Sequence, residues 1–173
     1  MQTVFGPVFQ AAFVVDDLDA ALHHWTRVMG VGPFWVLDHI QFDEIYYRGK
    51  PTDADTTAAM GYWGDLQIEL IVQHNRAPSI YTEFLDRGYR GMQHMAVMTD
   101  DLNAHLARIK PLGITSTQHG KVKDSIRFAY VSSDFHPGGM IELVEATDAI
   151  VGAFDFMRAA ARDWDGKDPV RRF

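Results

Sequence analysis

Four polar residues interrupt apolar stretches of this 173-residue chain at related places: Gln10, Glu69, His94 and Glu142. Gln10 and His94 each open an apolar run, and each glutamate sits inside one, in Ile68-Glu69-Leu70-Ile71 and Ile141-Glu142-Leu143-Val144. A strand packed on both faces reads as nearly continuous apolar sequence. A carboxylate inside such a strand must therefore be paired, protonated or bound to a metal. A lone glutamate of this kind reads as half of an ion pair at an exposed strand face. Two of them, with an imidazole and an amide in repeated positions, favour one shared divalent metal ion. One nitrogen and three oxygen donors suit a six-coordinate ion with water in its open positions. Zinc, nickel, cobalt, manganese and magnesium all fit that description.

The elements that must position these residues are written twice. Gln10-Ala-Ala-Phe-Val-Val-Asp-Asp-Leu-Asp-Ala-Ala-Leu22 is echoed by His94-Met-Ala-Val-Met-Thr-Asp-Asp-Leu-Asn-Ala-His-Leu106, a constant 84 positions later. Each copy reads as a buried strand, an Asp-Asp helix start and an amphipathic helix. Leu18, Ala21, Leu22, Trp25 and Met29 share one face of the first helix; Leu102, Leu106 and Ile109 share one face of the second. Gly30 and Gly113 stand where helix C-caps are expected. Each half then has room for two more strands, near His39–Tyr47 and Thr57–Trp63 in the first and Thr115–Gly120 and Ile126–Val131 in the second, before its glutamate strand. The turn before the last strand holds Pro137-Gly138-Gly139.

The expected fold is α+β. Two tandem β-α-β-β-β modules form a cupped eight-stranded mixed sheet with helices outside, followed by a C-terminal helix. One domain spans 1–173: module one at 7–73, a linker at 74–91 with a short helix from Ser79 to Leu85, module two at 92–146, and a tail at 147–173. The ligand positions are 59 apart in the first half and 48 in the second, which puts about eleven extra residues near Arg48–Asp55 and the stretch before it. In the tail, Ile150, Val151, Phe154, Met157 and Ala161 recur at helical spacing, with Asp148 as the expected cap; this helix is expected outside the sheet or at a subunit interface.

Composition narrows the partners. The formal charge is −7 with Lys and Arg scattered singly, which argues against nucleic-acid binding. No stretch approaches the roughly 18 apolar residues of a membrane span. The absence of cysteine excludes disulfides and thiolate metal sites and fits a reducing compartment, so a cytoplasmic protein with a small-molecule partner is expected.

His94-x6-Asp101-Leu102, its counterpart Gln10-x6-Asp17-Leu18 and the two Ile-Glu-Leu strands, taken in order, resemble the vicinal-oxygen-chelate superfamily of glyoxalases, bleomycin-resistance proteins and extradiol dioxygenases. The resemblance covers about residues 7–146. It implies that Gln10, Glu69, His94 and Glu142 surround one divalent metal, which acts as a Lewis acid on a substrate chelated through two oxygens. It also implies that Glu142 is the catalytic base with Glu69 facing it, and that the protein is a homodimer. The implied function is a lyase, isomerase or epimerase that abstracts a proton beside the chelated carbonyl of a small, hydrophobic or thioester-type substrate. Gln10 leaves one histidine, against the two that extradiol dioxygenases use. The ligand set is that of one branch of lactoylglutathione lyases, although Val14 stands where those carry Arg and Gln73 where they carry Asn. Methylmalonyl-CoA epimerases are similar in size but carry His first and Gln second.

Strand alternation turns Ala12, Val14, Ala96 and Met98 to the same side as Gln10 and His94. Tyr62 or Trp63, and Phe128 or Tyr130, are expected beside them. His23, His24 and His105 read as surface helix residues, His39, His74 and His119 as strand-end residues, and His136 as part of a turn. Asp43-Glu44 reads as a solvated edge, and Asp53–Asp55 as a second acidic group near the cup. Two alternatives share the fold. One is a non-catalytic binder that sequesters an aromatic molecule, as bleomycin-resistance proteins do; the other is a partner-binding module acting through its C-terminal helix.

Overall fold

The computed structural model describes residues 3–132 and 140–172. His136 and the turn Pro137-Gly138-Gly139 lie outside the described residues. Both Asp-Asp starts fold alike: Asp17 and Asp101 are extended N-cap residues whose carboxylates accept from the backbone N–H of Ala20 and Ala104, each at 2.9 Å. Helix α1 (Leu18–His23) continues into a π-helical turn over His24–Val28 and ends on Gly30 at φ 67°. Helix α3 (Leu102–Ile109) tightens into a 3₁₀ turn and ends on Gly113 at φ 76°. Both glycines adopt the left-handed conformation that stops a helix at no steric cost.

In the first half, β1 (Val8–Val14), β2 (Phe34–Leu37), β5 (Thr56–Trp63) and β6 (Leu66–Gln73) lie in the order β2-β5-β6-β1. In the second, β7 (Gly91–Thr99), β8 (Thr115–Val122), β9 (Arg127–Ser132) and β10 (Ile141–Glu145) mirror it as β7-β10-β9-β8. β1 and β7 pair antiparallel and join the halves, while β1–β6 and β7–β10 are parallel. Seven of these eight lie where the sequence places a strand, and β2 does not.

Three further strands extend the sheet to eleven. The eleven-residue excess of the first half forms a hairpin, β3 (Phe42–Tyr47) and β4 (Lys50–Pro51). The sequence reading put the second strand of module one near His39–Tyr47. That strand is instead Phe34–Leu37, and β3 crosses to pair with β8 of the other half. The crossing segment, residues 38–41, is tied to both halves: Ile40 donates to the Thr56 carbonyl at 2.8 Å, and Lys123 donates to the Gln41 carbonyl at 2.8 Å. Gly120 permits the new edge, because a Cβ there would stand 2.6 Å from the Glu44 carbonyl oxygen. Strand β11 (Val170–Arg172) pairs with β2 at the opposite edge.

Alternation gives the sheet two different faces. On the outer face α1 packs through Leu22 on Ala11, Ile68 and Leu70, and α3 packs through Leu102 and Ile109 on Val97, Ala129 and Leu143. Helices α2 (Ile80–Asp86, capped by Ser79) and α4 (Asp148–Arg162) lie on the inner face. Ile80 and Tyr81 pack with Ala12, Val14, Ile71 and Tyr130, while Phe154 and Met157 pack with Met60 and Tyr62. The expectation that α4 packs outside the sheet is thereby corrected. The Phe154–Met157 stripe is apolar enough to cover the inner face where the strands leave it open. Its cap is Thr147, whose hydroxyl accepts from Ile150 N, rather than Asp148.

Two glycines test this packing. Gly120→Ala should destabilise the fold by about 1–3 kcal/mol, because its neighbour is backbone and the β3–β8 pairing must shift. Gly152→Ala, in α4 with open space around the new methyl, should stabilise by about 0.5–1 kcal/mol. Urea midpoints of the two variants against the parent check both signs.

Candidate metal centre

The inner-face residues of the central strands fall into two short rows. In the first, Ala12 pairs with Glu69 on one side and His94 on the other. In the second, Ala96 pairs with Gln10 on one side and Glu142 on the other. Ala12 and Ala96 are repeat equivalents, fully buried, and too small to fill the space between the flanking side chains. All four candidate residues thus surround a floor made of two methyl groups.

A displacement in each strand aims the side chains. The β1–β7 ladder carries an extra residue on β1 at Phe9, between the pairs Val8–Val97 and Gln10–Ala96. It carries another on β7 at Gln93, between Ala12–His94 and Phe13–Met92. Phe9 and Gln93 are again 84 positions apart, each immediately before a candidate ligand. Such bulges bend a strand and re-aim the adjoining side chain.

Glu69, His94 and Glu142 each offer a donor atom within 4.8 Å of the others. His94 Nε2 stands 3.7 Å from Glu69 Oε2 and 3.4 Å from Glu142 Oε2. These separations are long for a charge-assisted hydrogen bond, and they leave the imidazole nitrogen without a partner. Gln10 Oε1 and Glu69 Oε2 are likewise buried and unpartnered. Buried polar atoms are normally satisfied, so three orphaned acceptors among these four side chains form a set that could hold a cation. One nitrogen and several oxygens match the preferences of a divalent ion. The residues fit the group.

Neighbouring side chains fix which atoms face inward. Gln10 donates its amide nitrogen to Gln67 Oε1 at 2.7 Å, and Gln67 in turn donates to the Tyr62 hydroxyl at 3.1 Å. That chain leaves Gln10 Oε1 as the free atom. His94 donates from Nδ1 to Gln93 Oε1 at 2.7 Å, and the Gln93 amide nitrogen is held by Met140 Sδ at 3.0 Å. The Nε2 lone pair therefore points into the site. The sequence reading missed both orienting glutamines. Gln67, two residues before Glu69 and so on the same face, carried a signal; Gln93 acts only because of the bulge.

Burial, and then the charge of Glu142, push the Glu69 carboxyl well above the usual carboxylate range. Tyr81 and Tyr130 meet hydroxyl to hydroxyl at 2.7 Å beside the carboxylates. Burial and then those negative charges raise both phenols well above their ordinary range, so both stay protonated and able to donate.

A cavity of about 130 Å³ opens above Gln10, Glu69 and Glu142, some ten times the roughly 10–15 Å³ that one water needs. Both Phe128 and Tyr130 line it, while Trp63 turns outward against Trp25. Val14 is core, and Gln73 ties the linker to α2 by accepting from the Ser79 hydroxyl and donating to the Ala77 carbonyl. Asp55 pairs with His39 at 2.7 Å at the surface and does not line the cavity, so the second acidic group expected near the cup is not there. His105, read as a surface residue, is buried against Phe5 and Thr99. Among the described residues no helix is long and apolar enough to cross a membrane.

The chain is similar in fold to methylmalonyl-CoA epimerase from Mycobacterium tuberculosis, with a TM-score of 0.61 at 19% identity over 88% of this chain and 95% of that one. A hypothetical protein from Bacillus halodurans C-125 gives 0.61 at 14% identity, over 82% and 95% of the two chains. A variant methylmalonyl-CoA epimerase from Streptomyces coelicolor, in complex with 2-nitronate-propionyl-CoA, gives 0.56 at 16% identity, over 83% and 96%. No curated protein sequence matches significantly. The family model described as the glyoxalase/bleomycin resistance protein/dioxygenase superfamily matches residues 9–130. With that match over most of the duplicated frame, the chain belongs to this superfamily.

Proposed function

We propose that the protein is a metal-dependent lyase, isomerase or epimerase that removes a proton from the carbon beside a carbonyl group of a small molecule. The observation that carries this reading is the set of buried, unpartnered acceptors Gln10 Oε1, Glu69 Oε2 and His94 Nε2 beside Glu142. Gln10, Glu69, His94 and Glu142 would hold one divalent ion. Bound there, the ion supplies Lewis-acid stabilisation of negative charge developing on the substrate's oxygen. Glu142 lines the cavity and takes the proton; Glu69, across His94, is the second acid–base group. The Tyr81–Tyr130 pair donates toward the same space. The fold shared with methylmalonyl-CoA epimerases supports proton transfer over ring cleavage, as does the single histidine. A cytoplasmic setting and a homodimer belong to the same proposal; the exposed Val28, Met29 and Trp63 offer apolar surface for a second copy.

Calorimetric titration of chelator-treated protein with Zn²⁺, Ni²⁺, Co²⁺ or Mn²⁺ should give one site per chain. His94→Ala should abolish it, and Gln67→Leu or Gln93→Leu should weaken it about 10- to 100-fold by releasing the ligands they orient. Failure of the parent chain to take up any of these ions overturns the proposal.

Glu142→Gln should slow exchange of the substrate's α-proton in deuterated buffer by roughly 10²- to 10⁴-fold, read by NMR across a panel of α-ketoaldehydes and thioesters. Equal exchange in parent and variant would remove Glu142 from the role of base.

The raised Glu69 carboxyl gives a pH test. A carboxyl whose pKa rises on folding binds more protons folded than unfolded, so its penalty begins above 4.5, its ordinary value, and grows as pH climbs through the raised one. Metal-free parent protein should therefore lose melting temperature relative to Glu69→Gln as pH rises from about 5 to 8. Saturating metal, which replaces the proton, should reverse the difference. Parallel pH profiles of parent and variant would contradict it.

A further inference from the structure

Resting on that reading, we propose that the cavity selects an uncharged, largely apolar or aromatic substrate and rejects anionic and coenzyme-A-linked ones. The charge count within the site is already closed. Two carboxylates, Glu69 and Glu142, balance one divalent ion, and they are the only charged side chains among the described residues that line the cavity. Outside the described residues, positions 1–2, 133–139 and 173 contain neither Lys nor Arg; their ionisable side chains are Asp134 and His136. An anionic group entering this space would be buried without a counter-charge.

Three cations on neighbouring strands are engaged elsewhere. Lys121 pairs with Asp43 at 2.7 Å, Arg48 with Glu83 at 2.9 Å, and Arg127 bridges to Glu145 on the outer face. The additions that distinguish this chain from a plain duplicated frame are apolar where they meet the cavity: Ile40 and Phe42 from the crossing segment and β3, Ile150 and Phe154 from α4. Below them Phe128 and Tyr130 stand edge to face with ring centroids 5.6 Å apart, a surface suited to a planar apolar body. The cavity's volume, about 130 Å³, holds a small molecule and would leave the nucleotide of a coenzyme-A thioester outside it.

The test uses full-length protein loaded with Zn²⁺ and three probes: 1-phenyl-1,2-propanedione, its 4-carboxyphenyl analogue, and propionyl-CoA. Calorimetry should give the uncharged dione at least about 100-fold tighter binding than either anion. Ile126→Arg, at a partly exposed position on the cavity wall, should narrow the gap between the two diones about tenfold or more. Equal or tighter binding of the carboxylated dione or of propionyl-CoA would overturn the inference. So would an Ile126→Arg gap equal to that of the parent, or failure of the neutral dione to bind protein that has taken up its metal. The metal titration separates these results from failure of the catalytic reading, which shows as no metal uptake at all.

Discussion

Two carboxylates and an imidazole held within 4.8 Å of one another, on the buried face of a sheet, form the constraint around which this structure is arranged. Like charges at that distance in a poorly solvated space repel, and only a proton or a cation relieves them. The fold accepts that cost where it could have been avoided by apolar residues of similar size. Everything near the centre maintains the arrangement. Alanines leave room beneath it, bulges aim the strands, and glutamines hold the amide and the ring so that their acceptor atoms face inward.

Duplication explains how one chain reaches this geometry cheaply. A βαβββ unit places one side chain on its first strand and another on its last, and these two strands are parallel neighbours. Pairing β1 with β7 antiparallel brings the two copies face to face, so four side chains converge from two repeats of one solution. Most departures from symmetry are placed around the site. The β3 hairpin crosses to the other half, α2 and α4 cover the inner face, and β11 returns to the far edge. The symmetric part thus supplies the polar donors, and the asymmetric part supplies an apolar enclosure.

Much of this could be read from the residues. The 84-position echo, the Asp caps and the glutamates inside apolar strands lie in local sequence, where helix and strand periodicities are strongest. The inner-face placement of Ala12, Val14, Ala96 and Met98 followed from alternation alone. What escaped was decided by tertiary pairing. Residues 42–47 read as a strand, and nothing local says that their partner is β8 rather than β5. The apolar stripe of α4 fixes that a face is buried but not which side of the sheet buries it. His105 is buried because Phe5 and Thr99 come to meet it, and Gln93 matters only because a bulge turns it beside His94.

The proposed chemistry depends on one coordination sphere. X-ray absorption at the zinc edge, on protein loaded with one equivalent of Zn²⁺, tests it most directly. The expected spectrum shows a single imidazole among oxygen donors, with a first shell at about 2.0–2.2 Å, and the imidazole signal vanishes in His94→Ala. A sphere of oxygens alone in the parent chain, or an imidazole signal that survives His94→Ala, would contradict it.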